Sequence, residues 1–225
     1  MSHSAVKASQ RLASLFQIPV AAFETCSGID PATLHPEEAA CVARAAPRRV
    51  AQFAAGRACA HAALTQLGVA QPVLRVGPDR EPLWPEGITG SITHTGDYCA
   101  AVAASRLQLA ALGIDAEERG AVRRQLWRHI ATAEERAWLE ALPAQQLGDM
   151  SSVLFSAKEA FFKCQYPLTR QWVGFADVII SIEADLFRVA PRAALRLAEH
   201  APPPWCGRFA LDGALVLTGI ALPAR

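Results

Sequence analysis

Leu109-Ala110-Ala111-Leu112-Gly113-Ile114-Asp115-Ala116-Glu117 lies at the middle of the 225-residue chain, apolar until Asp115 and acidic from there on. It reads as a buried strand reaching its end. Side chains at i and i+2 of a strand share a face, so Asp115 and Glu117 point one way and Ala116 the other. Two carboxylates held side by side repel unless a cation or a proton stands between them. An all-oxygen ligand set favours a hard ion such as Mg²⁺, which binds phosphates besides one or two carboxylates. The alternative is a solvated strand end entering the charged turn Glu117-Glu118-Arg119-Gly120.

A second acidic segment follows, Phe155-Ser156-Ala157-Lys158-Glu159-Ala160-Phe161-Phe162-Lys163. Residues from about Leu147 to Gln165 contain no proline, and no glycine after Gly148, and read as a helix. Ser156, Glu159 and Lys163 fall at i, i+3 and i+7, one stripe of that helix. Val153, Phe155, Phe161 and Phe162 occupy much of the rest. A polar stripe on an otherwise apolar helix must meet solvent, a partner or a ligand. A surface pair between Glu159 and Lys163 is the alternative, worth about 0.2–0.5 kcal/mol.

Outward from these two segments, helices precede strands, twice over. Ile18 to Phe23 reads as an opening strand. Pro36 stands where the first residue of a helix over Glu37–Ala45 belongs. A second helix runs from Pro47 to Leu67, with an apolar stripe of Val50, Phe53, Ala60, Leu64 and Leu67 and a stop at Gly68. Strands are expected at Val73–Val76, Gly90–Thr93, Tyr98–Ala104 and Leu109–Asp115. The segment Gly77 to Gly87 holds three prolines and reads as irregular. Thr132 with Glu135 forms a capping box for a helix through Leu142. After the helix with Glu159 come strands at Val173–Ile182, Leu186–Val189, Gly207–Leu211 and Leu215–Leu222. The class is α+β: two halves, 1–112 and 113–225, each a helix packed on a small antiparallel sheet.

With 52% hydrophobic residues the chain is globular. A net charge of +1 provides no global field for nucleic acid or a membrane surface, so any phosphate site is local. The N-terminus lacks an apolar core for a secretory signal, and no stretch reaches the apolar length of a membrane span. The six cysteines, at 26, 41, 59, 99, 164 and 206, show no CxxC spacing, so neither zinc nor a disulfide framework is expected. Reduced thiols in a cytoplasmic protein are the economical reading.

Other residues could serve a phosphate. Arg49 and Arg57 stand eight residues apart on the second helix, about two turns, so both can lie on one side. Paired guanidinium groups suit phosphate; solvated arginines beside Arg44 and Arg48 are the alternative. Thr93 and His94 end a strand before Gly96, where a small anion could accept from both. A Walker loop, a GxGxxG and a GxSxG are all absent.

In their order, these pieces resemble a 4′-phosphopantetheinyl transferase of the surfactin/enterobactin-synthetase type. The stretches that carry the resemblance are Arg49 with Phe53 to Arg57, Arg80-Glu81-Pro82-Leu83-Trp84-Pro85, and Gly90-Ser91-Ile92-Thr93-His94. Gly113 to Glu117, Phe155 to Lys163, Tyr166 to Thr169 and Trp172 to Phe175 continue it. The Trp-Pro and Gly-Ser-x-x-His pair is closest to the enterobactin-synthetase branch. The resemblance implies a pseudo-twofold pair of α+β halves with the active site at their interface, in a monomer. It implies transfer of phosphopantetheine from coenzyme A to a serine of an apo acyl, peptidyl or aryl carrier protein, in siderophore or polyketide biosynthesis. Asp115, Glu117 and Glu159 would hold Mg²⁺, and Glu159 would be the base for the carrier serine, directly or through a metal-bound water, with Asp115 and Lys163 also catalytic. Arg49, Arg57, Arg80, Glu81, Pro82, Thr93, His94, Asp115, Lys158, Glu159 and Lys163 would bind coenzyme A. Competing classes are a Mg²⁺-dependent phosphohydrolase acting on coenzyme A-like diphosphates and a non-catalytic synthetase partner.

Overall fold

The computed structural model describes residues 6–26, 28–70, 73–192 and 194–224. Residues 1–5, where no signal was expected, lie outside the described residues. The chain divides into two compact units, one over residues up to Ala110 together with Pro223 and Ala224, the other Ala111–Leu222.

The first unit contains β1 (Lys7–Ala8), α1 (Gln10–Ala13), β2 (Ala21–Cys26), α2 (Pro36–Cys41), α3 (Pro47–Gln66), β3 (Arg75–Val76), β4 (Pro82–Leu83), β5 (Ile88–Thr95) and β6 (Tyr98–Ser105). Its main sheet has the order β1-β2-β6-β5, and its strand pairs are antiparallel. The long helix α3 packs on this sheet through Cys59, Ala60, Ala63 and Leu64, all fully buried. Small residues on both surfaces, Ala101 and Ala103 of β6 among them, let the layers approach. Pro47 occupies the first turn of α3, and Gly68 takes the left-handed conformation after its end.

Glu24 of β2 is buried, and its carboxylate accepts hydrogen bonds from Ser9, Arg11 and Tyr98 at 2.7, 2.8 and 3.0 Å. These bonds tie α1 to the sheet. The proline-containing segment expected to be irregular contains β4, which pairs with β3. Pro82 has no amide hydrogen, so it is tolerated only in a short pairing of this kind.

The second unit contains β7 (Leu109–Glu118), α4 (Trp127–Ile130), α5 (Ala133–Ala141), α6 (Ala144–Thr169), β8 (Val178–Glu183), β9 (Leu186–Pro191), α7 (Leu197–His200), β10 (Trp205–Asp212) and β11 (Leu215–Pro223). The sheet order is β7-β11-β10-β9-β8. α6 buries Leu154, Ala157, Ala160, Phe161 and Cys164 in the core of this unit with Phe187, Val189 and Trp205. The predicted capping box is present: Glu135 donates its backbone amide to the Thr132 hydroxyl, and the Glu135 carboxylate accepts from the Thr132 amide at 2.7 Å. The helix bearing Glu159 is longer than expected, running through Pro167 to Arg170, which ends it at φ +52°. The strand expected at Val173–Ile182 begins only at Val178, after a short 3₁₀ turn over Phe175–Asp177. None of the six cysteines is in a disulfide among the described residues. Among the described residues, no helix is long and apolar enough to cross a membrane.

One close approach sets the second unit. A Cβ on Gly113 would run into the carbonyl oxygen of Ala160 and stand 2.7 Å from the Cys164 amide nitrogen. The backbones of β7 and α6 therefore touch where only glycine fits. Gly113→Ala should lower stability by about 3 kcal/mol, the upper range for overpacking against backbone that cannot yield. Denaturant titration checks this.

Lys158 lies near the same crossing and is buried, its ammonium donating to the Glu135 carboxylate at 2.6 Å and to the carbonyls of Phe175 and Val178 at 2.6 and 3.3 Å. Lys158→Ala leaves the Glu135 carboxylate buried without its cation, and should cost about 3–5 kcal/mol. Thermal melting of Lys158→Ala against the parent checks it.

Candidate functional site

On β7, Gly113, Asp115 and Glu117 share the face that meets α6, because they alternate along the strand. The Gly113 contact with Ala160 and Cys164 brings that face against the turn of α6 carrying Glu159 and Lys163. The Lys163 ammonium donates to Asp115 Oδ1 at 2.6 Å. The Asp115 side chain is 5% exposed and that of Lys163 28% exposed, so the pair stands at the boundary between core and solvent. Lys163 thus pairs across to the strand, besides its electrostatic interaction with Glu159 along the helix.

The remaining two carboxylates bear the electrostatic cost. Burial, then the neighbouring Asp115 charge, pushes the Glu117 carboxyl up to about 7, with Lys163 opposing and Glu159 adding to it. Burial also raises the pKa of Glu159, with Lys163 opposing and Asp115 adding to the shift. Three acidic groups thus act on one another around the Lys163 ammonium.

Among the described residues, no group of three or more His, Cys, Asp or Glu side chains stands at metal-ligand spacing. The Lys163 ammonium takes the place beside Asp115 that a cation would favour. In donor chemistry the set nevertheless fits a hard ion, being all carboxylate oxygen, mutually repulsive and in excess of the local positive charge.

Ser156, placed by its spacing on the polar stripe, is instead fully buried. Its hydroxyl is 2.8 Å from that of Thr218 on β11, and the Thr218 hydroxyl lies within donating distance of the carbonyls of Ser156 and Asp115, at 3.1 and 3.4 Å, with one proton shared among them. Thr218 thus fixes the height of Asp115 against α6. The sequence reading missed it because it lies 103 residues from Asp115 in a run with no distinguishing pattern. Lys158, expected to reach the substrate, is buried in the core of the second unit. A lysine has three donors, and all three are taken by Glu135, Phe175 and Val178.

The first unit holds a separate set. Arg49 Nη1 is 2.9 Å from His94 Nε2. Arginine can only donate, so Nε2 is the acceptor in this contact. Arg57 is buried, its guanidinium over the Phe53 ring at 4.4 Å and its Nε 3.8 Å from Glu38 Oε1. Burial, foremost, lowers the Arg57 pKa; Glu38 opposes this and Arg49 adds to it. Thr93 does not join His94. Neighbours on a strand face opposite ways, and Thr93 is buried while His94 is exposed. Arg80 is exposed in a turn at φ +67°. The Glu81 carboxylate folds back to accept from the Asp79 amide at 3.0 Å.

Glu117 yields a prediction with a definite sign. Its carboxyl loses a proton near the ordinary 4.5 when unfolded and near 7 when folded. Between those values the folded state holds more protons, so this group's contribution to stability declines as pH rises and stays low above about 7. In chelator, Glu117→Gln should melt about 2–4 °C above the parent at pH 8. That is what roughly 1 kcal/mol produces in a chain of this size, after discounting for solvent screening. The gap should close below pH 4.5, which melting curves across the pH range check.

Two family models match the sequence. Residues 37–104 match the 4′-phosphopantetheinyl transferase N-terminal domain, and residues 111–211 match the 4′-phosphopantetheinyl transferase superfamily. The chain is similar to 4′-phosphopantetheinyl transferase Svp of Streptomyces mobaraensis, 37% identical over 206 residues, with 87% of this chain and 81% of Svp covered. It is similar to 4′-phosphopantetheinyl transferase PptT of Mycobacterium tuberculosis, 37% identical over 195 residues, with 83% and 85% covered. Enterobactin synthase component D of Escherichia coli is 31% identical over 176 residues, with 68% of this chain and 78% of that protein covered. With relatives of this identity along most of its length, and with Asp115, Glu117, Glu159 and Lys163 gathered in one place, the chain belongs to the 4′-phosphopantetheinyl transferase superfamily.

Proposed function

We propose that this enzyme moves the 4′-phosphopantetheine group from coenzyme A to a serine of an apo carrier protein of the acyl, peptidyl or aryl kind. The observation that carries the reading is the Lys163 ammonium held on Asp115 with Glu117 and Glu159 acting on both. Phosphoryl transfer asks of a protein mainly positioning and charge neutralisation, and this cluster offers both.

The serine oxygen attacks the phosphorus that bears the pantetheine. The bond from that phosphorus to the bridging oxygen breaks, and adenosine 3′,5′-bisphosphate leaves. Glu159, with its proton affinity raised by burial, takes the serine proton. Lys163 offsets charge developing on the phosphate oxygens. Asp115 holds Lys163 in place until the substrate arrives. Mg²⁺, held by Asp115, Glu117 and Glu159, would neutralise the diphosphate when bound. Arg49, Arg57 and His94 are assigned to the phosphates of coenzyme A, Arg49 and Arg57 from α3 and His94 from the end of β5. Arg80 and Pro82 are assigned to the nucleotide in preference to Glu81, whose carboxylate is engaged within its own turn.

The test is incubation with coenzyme A, Mg²⁺ and apo carrier proteins, followed by mass spectrometry. A gain of one phosphopantetheine group on a serine is expected. Release of free phosphopantetheine with an unmodified carrier would instead indicate hydrolysis. Glu159→Gln keeps the side-chain shape but cannot take a proton, so it should lower turnover by about 100-fold or more. Its affinity for coenzyme A, measured by calorimetry, should change far less.

A further inference from the structure

Arg57 is a cation buried by its surroundings yet only partly engaged. Its Nε makes no hydrogen bond, although the atom is buried. What surrounds it is the Phe53 ring on one face and the Glu38 carboxylate at 3.8 Å. Glu38 is itself fully buried and tightly held. Its Oε1 accepts from His61 Nε2 at 2.7 Å and from the Leu74 amide at 2.9 Å, and its Oε2 accepts from the His35 amide at 3.2 Å.

We propose that Glu38 is a positioning residue for coenzyme A binding, holding the Arg57 guanidinium against Phe53 with its donors directed at a phosphate. This rests on the assignment of Arg57 to coenzyme A. A buried charge without a counter-charge is costly, and a long side chain escapes that cost by swinging into water. Glu38 removes the incentive to escape. At 3.8 Å, beyond hydrogen-bonding distance, it does so without consuming the donors of the guanidinium. The three bonds to Glu38 keep it from turning toward Arg57 and closing a bidentate pair. His61 is a partly exposed support, its side chain 26% exposed while that of Glu38 is 0% exposed. The arrangement keeps an arginine ready for an anion in the empty protein, with less ordering left to be done on binding.

The test is a double-mutant cycle read by calorimetric titration of coenzyme A and by steady-state KM for coenzyme A and for the carrier protein. Glu38→Gln keeps the shape and should weaken coenzyme A about 10-fold, with the carrier KM unchanged. Placed on Arg57→Ala, it should weaken coenzyme A no further, since its effect passes through Arg57. His61→Gln, a partly exposed change that spares the core, should show the same pattern at about 3-fold. Equal losses from Glu38→Gln with and without Arg57, or an affinity unchanged or tightened by Glu38→Gln and His61→Gln, would overturn the positioning role. Arg57→Ala with undiminished coenzyme A affinity would overturn the assignment of Arg57 as well, while phosphopantetheine transfer itself could still be observed.

Discussion

The contact between the backbones of β7 and α6 at Gly113 is the constraint on which the second unit depends. Strand geometry then places Asp115 and Glu117 at two and four residues' distance on the same face. Helix geometry places Glu159 and Lys163 one turn apart on either side of Ala160. With any side chain at 113, the strand and the helix would separate and the four groups would no longer act on each other. Thr218 adds the third support by bonding to the carbonyls of both elements, which ties β11 into the same crossing. A site of this kind needs no loop to hold its charges. They stand on regular elements whose relative position is fixed by packing.

Three buried or half-buried ion pairs show how differently a charge can be used. Lys158 spends every donor on Glu135 and two carbonyls, with both side chains at most 2% exposed. Such a pair ties α6 to α5 and β8 and has no capacity for a ligand. Lys163 sits at the surface edge on Asp115, within a set that has more negative than positive charge. Arg57 lies between these cases, buried beside Glu38 without a hydrogen bond from its Nε. How completely its hydrogen-bonding capacity is used separates a charge that holds the fold from one that can meet a substrate.

Much of this was legible in the sequence. The alternation in Gly113-Ile114-Asp115-Ala116-Glu117 specified which acidic groups share a face, and the spacing of Glu159 and Lys163 specified their helix stripe. Pro47 and Gly68 bounded α3, and the Thr132–Glu135 box opened α5, because caps and turn residues act within a few positions along the chain. Periodicity and local chemistry are properties of the sequence, and they reach as far as one element.

What only the tertiary structure decided was which polar residues are consumed inside the protein and which face outward. Lys158 and Lys163 are five residues apart on one helix, yet one is enclosed by α5 and β8 and the other meets β7. Ser156 shares the stripe of Glu159 but is taken by Thr218. Thr93 and His94 are adjacent in sequence and opposite in space. Glu38 reads as an ordinary acidic residue in the first turn of a short helix, and only the fold brings His61, Leu74 and Arg57 to it. Thr93 and His94 are parted by strand alternation alone; for Lys158, Ser156 and Glu38 the reason is a common one. A side chain's partners are set by the elements that pack against its own, and those elements lie tens of residues away, beyond the reach of any local pattern.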